Sequence, residues 1–233
     1  MLKSKFGKSL VASVVIGASV LGYSAQHQEA KAVETNYYYD GIQRGSYQAY
    51  LKAKKISNSS ISIQRYPNAS QNNLKAIGRV SNLNGWKKGS RDASVRKQDS
   101  MGTGTVIGAH TFVTNAHVVD KKNGQRTSPS KIKFQLNRDG KKIPYQFHAK
   151  KIYKIPSYDM VVVETKENMA QKANVQPLKL ATNQKIKSLK FNKKLYSLGY
   201  PVMNGNNTYA YWNKLRFLQE ASNKSELMTK DKF

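Results

Sequence analysis

Eight short runs of β-branched and aromatic residues constrain the fold of this 233-residue chain more than any other feature. Runs of this length and composition, bounded by Gly, Asn, Asp and Lys, predict β-strands. They cover residues 76–81, 104–107, 111–113, 132–136, 145–155, 161–163, 195–198 and 209–219. Asp139-Gly140 predicts a tight turn between two of them. Because no long helical pattern interrupts the series, the sequence predicts an all-β sandwich or barrel.

Two of the runs indicate how their strands are buried. Val161, Val162 and Val163 are consecutive, which is typical of a strand covered on both faces. In the last run Tyr209, Tyr211, Leu215 and Phe217 share one parity, so they lie on one face of a single long strand.

The segments before and between the first strands have a different composition. Tyr47, Tyr50 and Leu51 recur at helical spacing and predict a short amphipathic helix over residues 45–55, with a disordered tail as the alternative. Residues 57–73 are rich in Ser, Asn and Gln and are typical of a linker. Residues 82–100 are polar and charged and are expected to form a loop.

The first 32 residues have the organisation of a secretory signal peptide. Lys3, Lys5 and Lys8 precede an uncharged, mostly apolar stretch over residues 10–23, and Ala30-Lys31-Ala32 supplies a small-x-small cleavage site. A single membrane anchor is the alternative, but the stretch is short for a span of ~20 residues. The mature chain is then expected to start at Val33, to be secreted and to contain no membrane span. Secretion without any Cys fits a bacterial protein better than a eukaryotic one.

The chain is strongly basic, with 40 Lys and Arg against 13 Asp and Glu. Residues 33–233 hold 36 against 12, a formal net charge of +24. Such a surface attracts polyanions in general, such as nucleic acid, acidic cell-wall polymers and anionic membranes. The alternative is that evenly spread lysines only maintain solubility. No Arg-rich helix, zinc pattern or RNA-binding signature is present, so no specific nucleic-acid partner is predicted, and a small β-rich nucleic-acid binder is the weakest alternative.

His117 and Asp159 are the candidate catalytic residues. A neutral imidazole can accept a proton from a hydroxyl at neutral pH, and a buried carboxylate fixes its tautomer. Asp159 directly precedes the valine run, where its backbone is rigid and water is excluded. The spacing alone also allows a structural histidine and a turn-forming aspartate. Asp120 is a rival carboxylate only three residues from His117.

The other histidines carry less weight. His110 and His148 are expected to be surface or strand residues. They are far apart in the sequence and have few carboxylates and no Cys nearby, so no metal site is predicted, and no cofactor is expected.

Thr103 to Asp120, which contains Thr114-Asn115-Ala116-His117, resembles the histidine segment of the bacterial chymotrypsin-like serine proteases. Tyr158 to Val163 resembles their aspartate segment, with Val161 where Ala is usual. Leu198-Gly199-Tyr200-Pro201 matches a turn of the glutamyl endopeptidase and exfoliative toxin branch. Arg65-Tyr66-Pro67 with residues 76–80 resembles the initial strand of the exfoliative toxins, which also carry an N-terminal helix.

This resemblance implies a chymotrypsin-like double β-barrel with the active site between the barrels. The expected organisation is a signal peptide over residues 1–32, an N-terminal extension over 33–64, a first barrel over 65–165 and a partial second barrel over 166–233. His117 corresponds to the general base and Asp159 to its orienting carboxylate. The implied partner is a protein or peptide substrate, cleaved after acidic residues by analogy, and a monomer is expected.

The nucleophile implied by the family is missing from these residues. It lies in a Gly-Asn-Ser-Gly segment, in which the glycines let two N–H groups face the oxyanion. After Pro201 the chain has only Ser222 and Ser225, and neither is flanked by Gly. The chain is therefore expected to stop just before the serine, to have an incomplete second barrel and to be inactive as a serine endopeptidase. The alternative is a non-catalytic pseudoprotease that binds polyanions or host proteins through its basic surface.

Overall fold

The computed structural model describes residues 46–67, 70, 72–83, 100–120, 127–155, 158–221 and 226–232. The signal-peptide prediction lies outside these residues. The strands are β1 Ser62–Arg65, β2 Ile77–Asn82, β3 Ser100–Gly108, β4 Thr111–Thr114, β5 Ile132–Leu136, β6 Tyr145–Lys154, β7 Val161–Thr165, β8 Lys194–Gly199, β9 Tyr211–Glu220 and β10 Leu227–Lys230. The α-helices are α1 Ser46–Lys54, α2 Ala116–Val119, α3 Met169–Ala173 and α4 Asn183–Lys187.

Six strands close into a barrel in the order β2-β3-β4-β7-β6-β5, with antiparallel neighbours throughout. Its interior is filled by fully buried apolar side chains, among which the rings of Phe112 and Phe134 stack with centroids 4.2 Å apart. Gly78 allows this packing, because a Cβ there would lie 2.6 Å from the Gln135 carbonyl oxygen. The complete first barrel predicted from the sequence is therefore present.

The sequence predicted that the valine run would be covered on both faces, and this prediction is wrong. Val161, Val163 and Thr165 are buried, whereas Val162 is half-buried. The strand continues past the valines and alternates, because only its inner face meets the barrel core.

A second, open sheet is built around the long strand β9. Among the described residues, β8 pairs with one edge of β9, and β1 and β10 pair with the other, all antiparallel. Leu195, Leu215 and Phe217 form its buried cluster. The all-β chymotrypsin-like arrangement expected from the sequence, with one complete barrel and one partial one, is observed.

The linker expected over residues 57–73 is wrong in part. Residues 62–65 form β1, which pairs with residues 211–214 of β9. Ser62, Ile63, Gln64 and Arg65 contain little of the β-branched signal that marks the other strands, so pairing with β9 decides their conformation. The expected loop over residues 82–100 lies mostly outside the described residues, but its two ends are paired, Asn82 in β2 with Ser100 in β3.

The predicted N-terminal helix is present as α1 and packs on the second sheet. Ala49 and Ile56 form a buried cluster with Leu218 of β9. The Lys230 ammonium donates to the carbonyl oxygens of Ala53, at 3.0 Å, and Ile56, at 2.6 Å. A cation at the carboxyl end of a helix is favourable because the unpaired carbonyls there carry partial negative charge. The N-terminal extension is thus tied to the same sheet as the end of the described chain.

A buried arginine joins the barrel to the loop that follows β8. Arg79 of β2 is 4% exposed. Its Nε donates to the Asn207 carbonyl oxygen at 3.0 Å, and its Nη2 donates to Asn207 Oδ1 at 2.9 Å. Burial, followed by repulsion from Arg138, lowers the pKa of Arg79 to about 10. The guanidinium therefore depends on neutral acceptors for its stabilisation.

Tyr200 makes a second connection between the two halves. Its backbone N–H donates to Thr103 Oγ1 at 2.9 Å and its hydroxyl donates to the Arg138 carbonyl oxygen at 3.1 Å. Burial raises the pKa of Tyr200 to about 12. The hydroxyl therefore stays protonated and remains a donor at neutral pH.

Substitutions of Asn207 test how much its side-chain oxygen contributes to the contact with Arg79. Asn207→Ala should lower the free energy of unfolding by about 1–2 kcal/mol, because the Arg79 Nη2 loses its buried Oδ1 acceptor while Nε keeps the backbone carbonyl oxygen. Asn207→Asp keeps the acceptor and adds a charge opposite Arg79, so it should be at least as stable as the natural chain. Urea denaturation of both variants measures the difference. If Asn207→Asp lowers the free energy of unfolding as much as Asn207→Ala does, a negative charge at this position does not stabilise the Arg79 guanidinium.

Candidate active site

His117 lies in a one-turn helix, and it is the only residue of that turn whose side chain is open to solvent. β4 ends at Thr114, Asn115 is extended, and α2 forms one turn closed by the bond from the Asp120 N–H to the Ala116 carbonyl oxygen, at 2.9 Å. Ala116, Val118 and Val119 are buried in the barrel core. Because apolar neighbours on both sides hold the turn against the barrel, the imidazole projects from a rigid base.

Asp159 lies in the turn that joins β6 to β7. The Ile155 N–H donates to the Met160 carbonyl oxygen at 3.1 Å across this turn. The position directly before β7 fixes the backbone, and the side chain of Asp159 is only 8% exposed. β4 pairs with β7, so the end of β4 and the start of β7 lie side by side. This pairing brings together two residues that are 42 positions apart in the chain.

The structure places the carboxylate of Asp159 against His117 at two points. Asp159 Oδ2 lies 2.6 Å from His117 Nδ1, and Oδ1 accepts the backbone N–H of His117 at 3.0 Å. An ionised carboxylate only accepts hydrogen bonds, so this contact favours the tautomer with the proton on Nδ1. The imidazole, 32% exposed, then has its lone pair on Nε2.

Asn115 completes the surroundings of the carboxylate. Its Nδ2 donates to Asp159 Oδ2 at 3.1 Å and to the Asp159 carbonyl oxygen at 3.0 Å. Asn115 was not among the residues predicted from the sequence, although it stands within the segment Thr114-Asn115-Ala116-His117. Its position two residues before His117 was the available signal, but its direction toward Asp159 depends on the β4–β7 pairing.

Asp120, the rival carboxylate, is engaged elsewhere. Its Oδ2 lies 3.2 Å from the Lys154 ammonium, and its side chain is 2% exposed. Asn82 Nδ2 donates to the Asp120 carbonyl oxygen at 3.2 Å. Since Lys154 ends β6 just before the turn with Asp159, this ion pair links the segment of His117 to the segment of Asp159.

The other two described histidines lie away from this pair, as expected for surface and strand residues. His148 is on β6 and is 41% exposed, with Nδ1 2.7 Å from Glu167 Oε1. His110 follows β3, with Nδ1 3.4 Å from the Thr165 carbonyl oxygen. Burial raises the pKa of Glu167, but the hydrogen bonds from His148 outweigh it and leave that pKa lowered.

Within the described ranges, no three His, Asp or Glu side chains are grouped so that they could hold a metal ion. No helix in the described part of the chain has the length and apolar character of a membrane span. Ser222 and Ser225 lie outside the described residues.

Comparison with known proteins agrees with this fold. The profile of the trypsin-like peptidase domain matches residues 102–231, which are 130 of the 233 residues. The chain therefore belongs to the trypsin-like peptidase family. No curated protein sequence matches the chain.

Two solved structures are similar in fold. Protease Anisep from Arthrobacter nicotinovorans has 16% sequence identity and a TM-score of 0.47, over 70% of this chain and 71% of that one. The VesB protease of Vibrio cholerae has 15% identity and a TM-score of 0.48, over 68% of this chain and 44% of that one.

Substitution of Asp159 should disturb both stability and the tautomer of His117. Asp159→Ala leaves the His117 backbone N–H and imidazole N–H without their acceptor and removes one of the two Asn115 amide contacts, so the free energy of unfolding should fall by about 2–3 kcal/mol. Urea denaturation measures this loss. Nitrogen NMR of the imidazole should show the proton on Nδ1 in the natural chain and a mixture of tautomers in Asp159→Asn.

Glu167→Ala is the matched control for this experiment. It removes a carboxylate that contacts a histidine in the same way but is 26% exposed, so water replaces it and the loss should stay below about 1 kcal/mol. Equal losses in the two variants would contradict the view that burial makes the Asp159 contact stronger.

Proposed function

We propose that this chain carries the proton-handling half of a serine endopeptidase site. His117 acts as the general base, its Nε2 accepting the proton of an attacking hydroxyl. Asp159 keeps Nδ1 protonated and stabilises the imidazolium that forms. The observation that carries the proposal is the 2.6 Å contact between a buried carboxylate and a partly exposed imidazole. Family membership supports a peptide bond as the target.

The family's type of nucleophile segment is not found in these 233 residues. The chain contains no Gly-Asn-Ser-Gly segment, and the two serines after Pro201 have no glycine beside them. Without a serine hydroxyl the histidine has no proton to accept, and without the flanking glycines no pair of N–H groups faces the oxyanion. We therefore propose that these 233 residues alone do not hydrolyse peptides.

Two chemical probes test this proposal. A fluorophosphonate, which reacts with activated serines, should not label the 233-residue chain. A chimera that continues after residue 232 into the nucleophile segment and remaining strands of an active trypsin-like peptidase should be labelled. His117→Ala should abolish labelling of the chimera, and Asp159→Asn should slow it roughly 10⁴-fold.

Each outcome bears on a different part of the proposal. Labelling of the 233-residue chain would contradict the missing nucleophile. A chimera that folds and labels equally well with and without His117 would contradict the assigned base. Substrate peptides with Glu or Asp before the scissile bond test the proposed preference for acidic residues, which rests on the Gly-Tyr-Pro resemblance alone.

We also propose that the protein is exported and acts outside the cell. The support is the order of Lys residues, apolar stretch and Ala-Lys-Ala in residues 1–32. Mass spectrometry of the protein exported by a bacterial host should give Val33 as the first residue. Recovery of a cell-bound chain that retains residue 1 would support the membrane-anchor alternative.

A further inference from the structure

A long basic stretch of the chain, from the helix α3 through most of β9, has no acidic residue. Residues 168–219 contain nine Lys and Arg and not one Asp or Glu. Five of the lysines fall within the ten residues 185–194, here named the lysine turn, and all five are exposed: Lys185, Lys187, Lys190, Lys193 and Lys194. The five ion pairs found among the described residues involve none of them. Their charge is therefore available to an external partner.

The lysine turn is held rigidly on the second sheet. Asn192 adopts the left-handed conformation with φ of 64°. Its N–H donates to the Phe217 carbonyl oxygen at 2.8 Å, and the Phe217 N–H donates to the Lys193 carbonyl oxygen at 2.9 Å. Arg216 Nη1 also donates to the Asn192 carbonyl oxygen at 3.2 Å. Leu189 packs beneath on the cluster of Leu195, Leu215 and Phe217.

An aromatic side chain projects from the same turn. Phe191 is 44% exposed and lies between Lys190 and the pair Lys193 and Lys194. An exposed phenyl ring is costly in water, because burying apolar surface is favourable. Its backbone neighbour, Asn192, is bonded to β9, which fixes the position of the turn that carries the ring. A partner for this surface must offer both negative charge and an apolar layer.

An anionic phospholipid bilayer has this combination. Lysines near such a surface are attracted to the lipid phosphates, and aromatic rings settle at the level of the headgroups. A soluble hydrophilic polyanion would satisfy the lysines but would leave Phe191 in water. We propose that the lysine turn docks on an anionic bilayer surface, with Phe191 entering the headgroup layer and the five lysines pairing with phosphates. This proposal does not depend on peptidase activity.

A fluorescent label on the turn tests the proposal in the full chain. The chain has no Cys, so Phe191→Cys accepts a polarity-sensitive label at one site only. Vesicles of phosphatidylglycerol and phosphatidylcholine should shift its emission to shorter wavelength, and the shift should disappear at high salt. Pure phosphatidylcholine vesicles should give no shift. A label at Lys187→Cys provides a second position if Phe191→Cys does not fold.

The label must report on the lysine turn alone, because the apolar residues 10–23 could bind lipid by themselves. A label at Lys141→Cys, in the turn between β5 and β6, should therefore keep its emission unchanged. Substituting Lys190, Lys193 and Lys194 by Gln should weaken the vesicle affinity reported at residue 191 by roughly 100-fold. The matched control replaces three exposed lysines of the barrel and its surroundings, Lys131, Lys141 and Lys166, and should weaken it far less.

Three results would overturn the proposal. The first is no shift at residue 191 with anionic vesicles. The second is an equal shift at residues 191 and 141, which would mean that another part of the chain binds. The third is equal loss of affinity in the two triple variants, which would reduce the effect to net charge. Salt-sensitive retention on heparin without any shift on vesicles would assign the surface to a soluble polyanion instead.

Discussion

The site depends on one buried carboxylate. Asp159 accepts hydrogen bonds from the His117 backbone N–H and the Asn115 amide, and it lies against the His117 ring. All three partner groups belong to the short segment that directly follows β4. A carboxylate with this many partners compensates for its lost hydration. The same bonds fix the path of the backbone and the orientation of the imidazole, so stability and geometry at this place have a common cause.

The barrel explains why these groups meet. The pairing of β4 with β7 sets residue 114 opposite residue 161, and both chains then leave the barrel at the same end. The ion pair of Asp120 with Lys154 adds a second link between the two segments. Arg79 and Tyr200 attach the loop after β8 to the barrel through Asn207, Thr103 and Arg138. The second sheet is therefore positioned relative to the site by these polar contacts together with a small apolar cluster that contains Ile77 of β2 and Leu198 of β8.

The sequence predicted the strands well where composition and periodicity agreed, as in β5, whose bounds match the predicted residues 132–136. It failed for β1, because Ser, Gln and Arg carry no strand signal and only the partner strand makes residues 62–65 extended. The pairing of His117 with Asp159 could be anticipated from the family resemblance but not from spacing. The roles of Asn115, Lys154 and Arg79 could not be anticipated, because each depends on which residues lie opposite across the sheets.

The chain contains a second histidine, His148, that is held by a carboxylate in the same manner outside the candidate site. Glu167 accepts the His148 backbone N–H at 2.9 Å and lies 2.7 Å from its Nδ1, much as Asp159 does with His117. The contact itself is therefore a local way of fixing a histidine on a β-rich scaffold, and it does not by itself indicate catalysis. The side chain of Asp159 is 8% exposed against 26% for Glu167, however, and its histidine stands on a turn at a barrel end rather than within the barrel strand β6. Low dielectric strengthens a charge contact, so the Asp159 carboxylate is expected to hold its histidine more strongly than the Glu167 carboxylate holds His148.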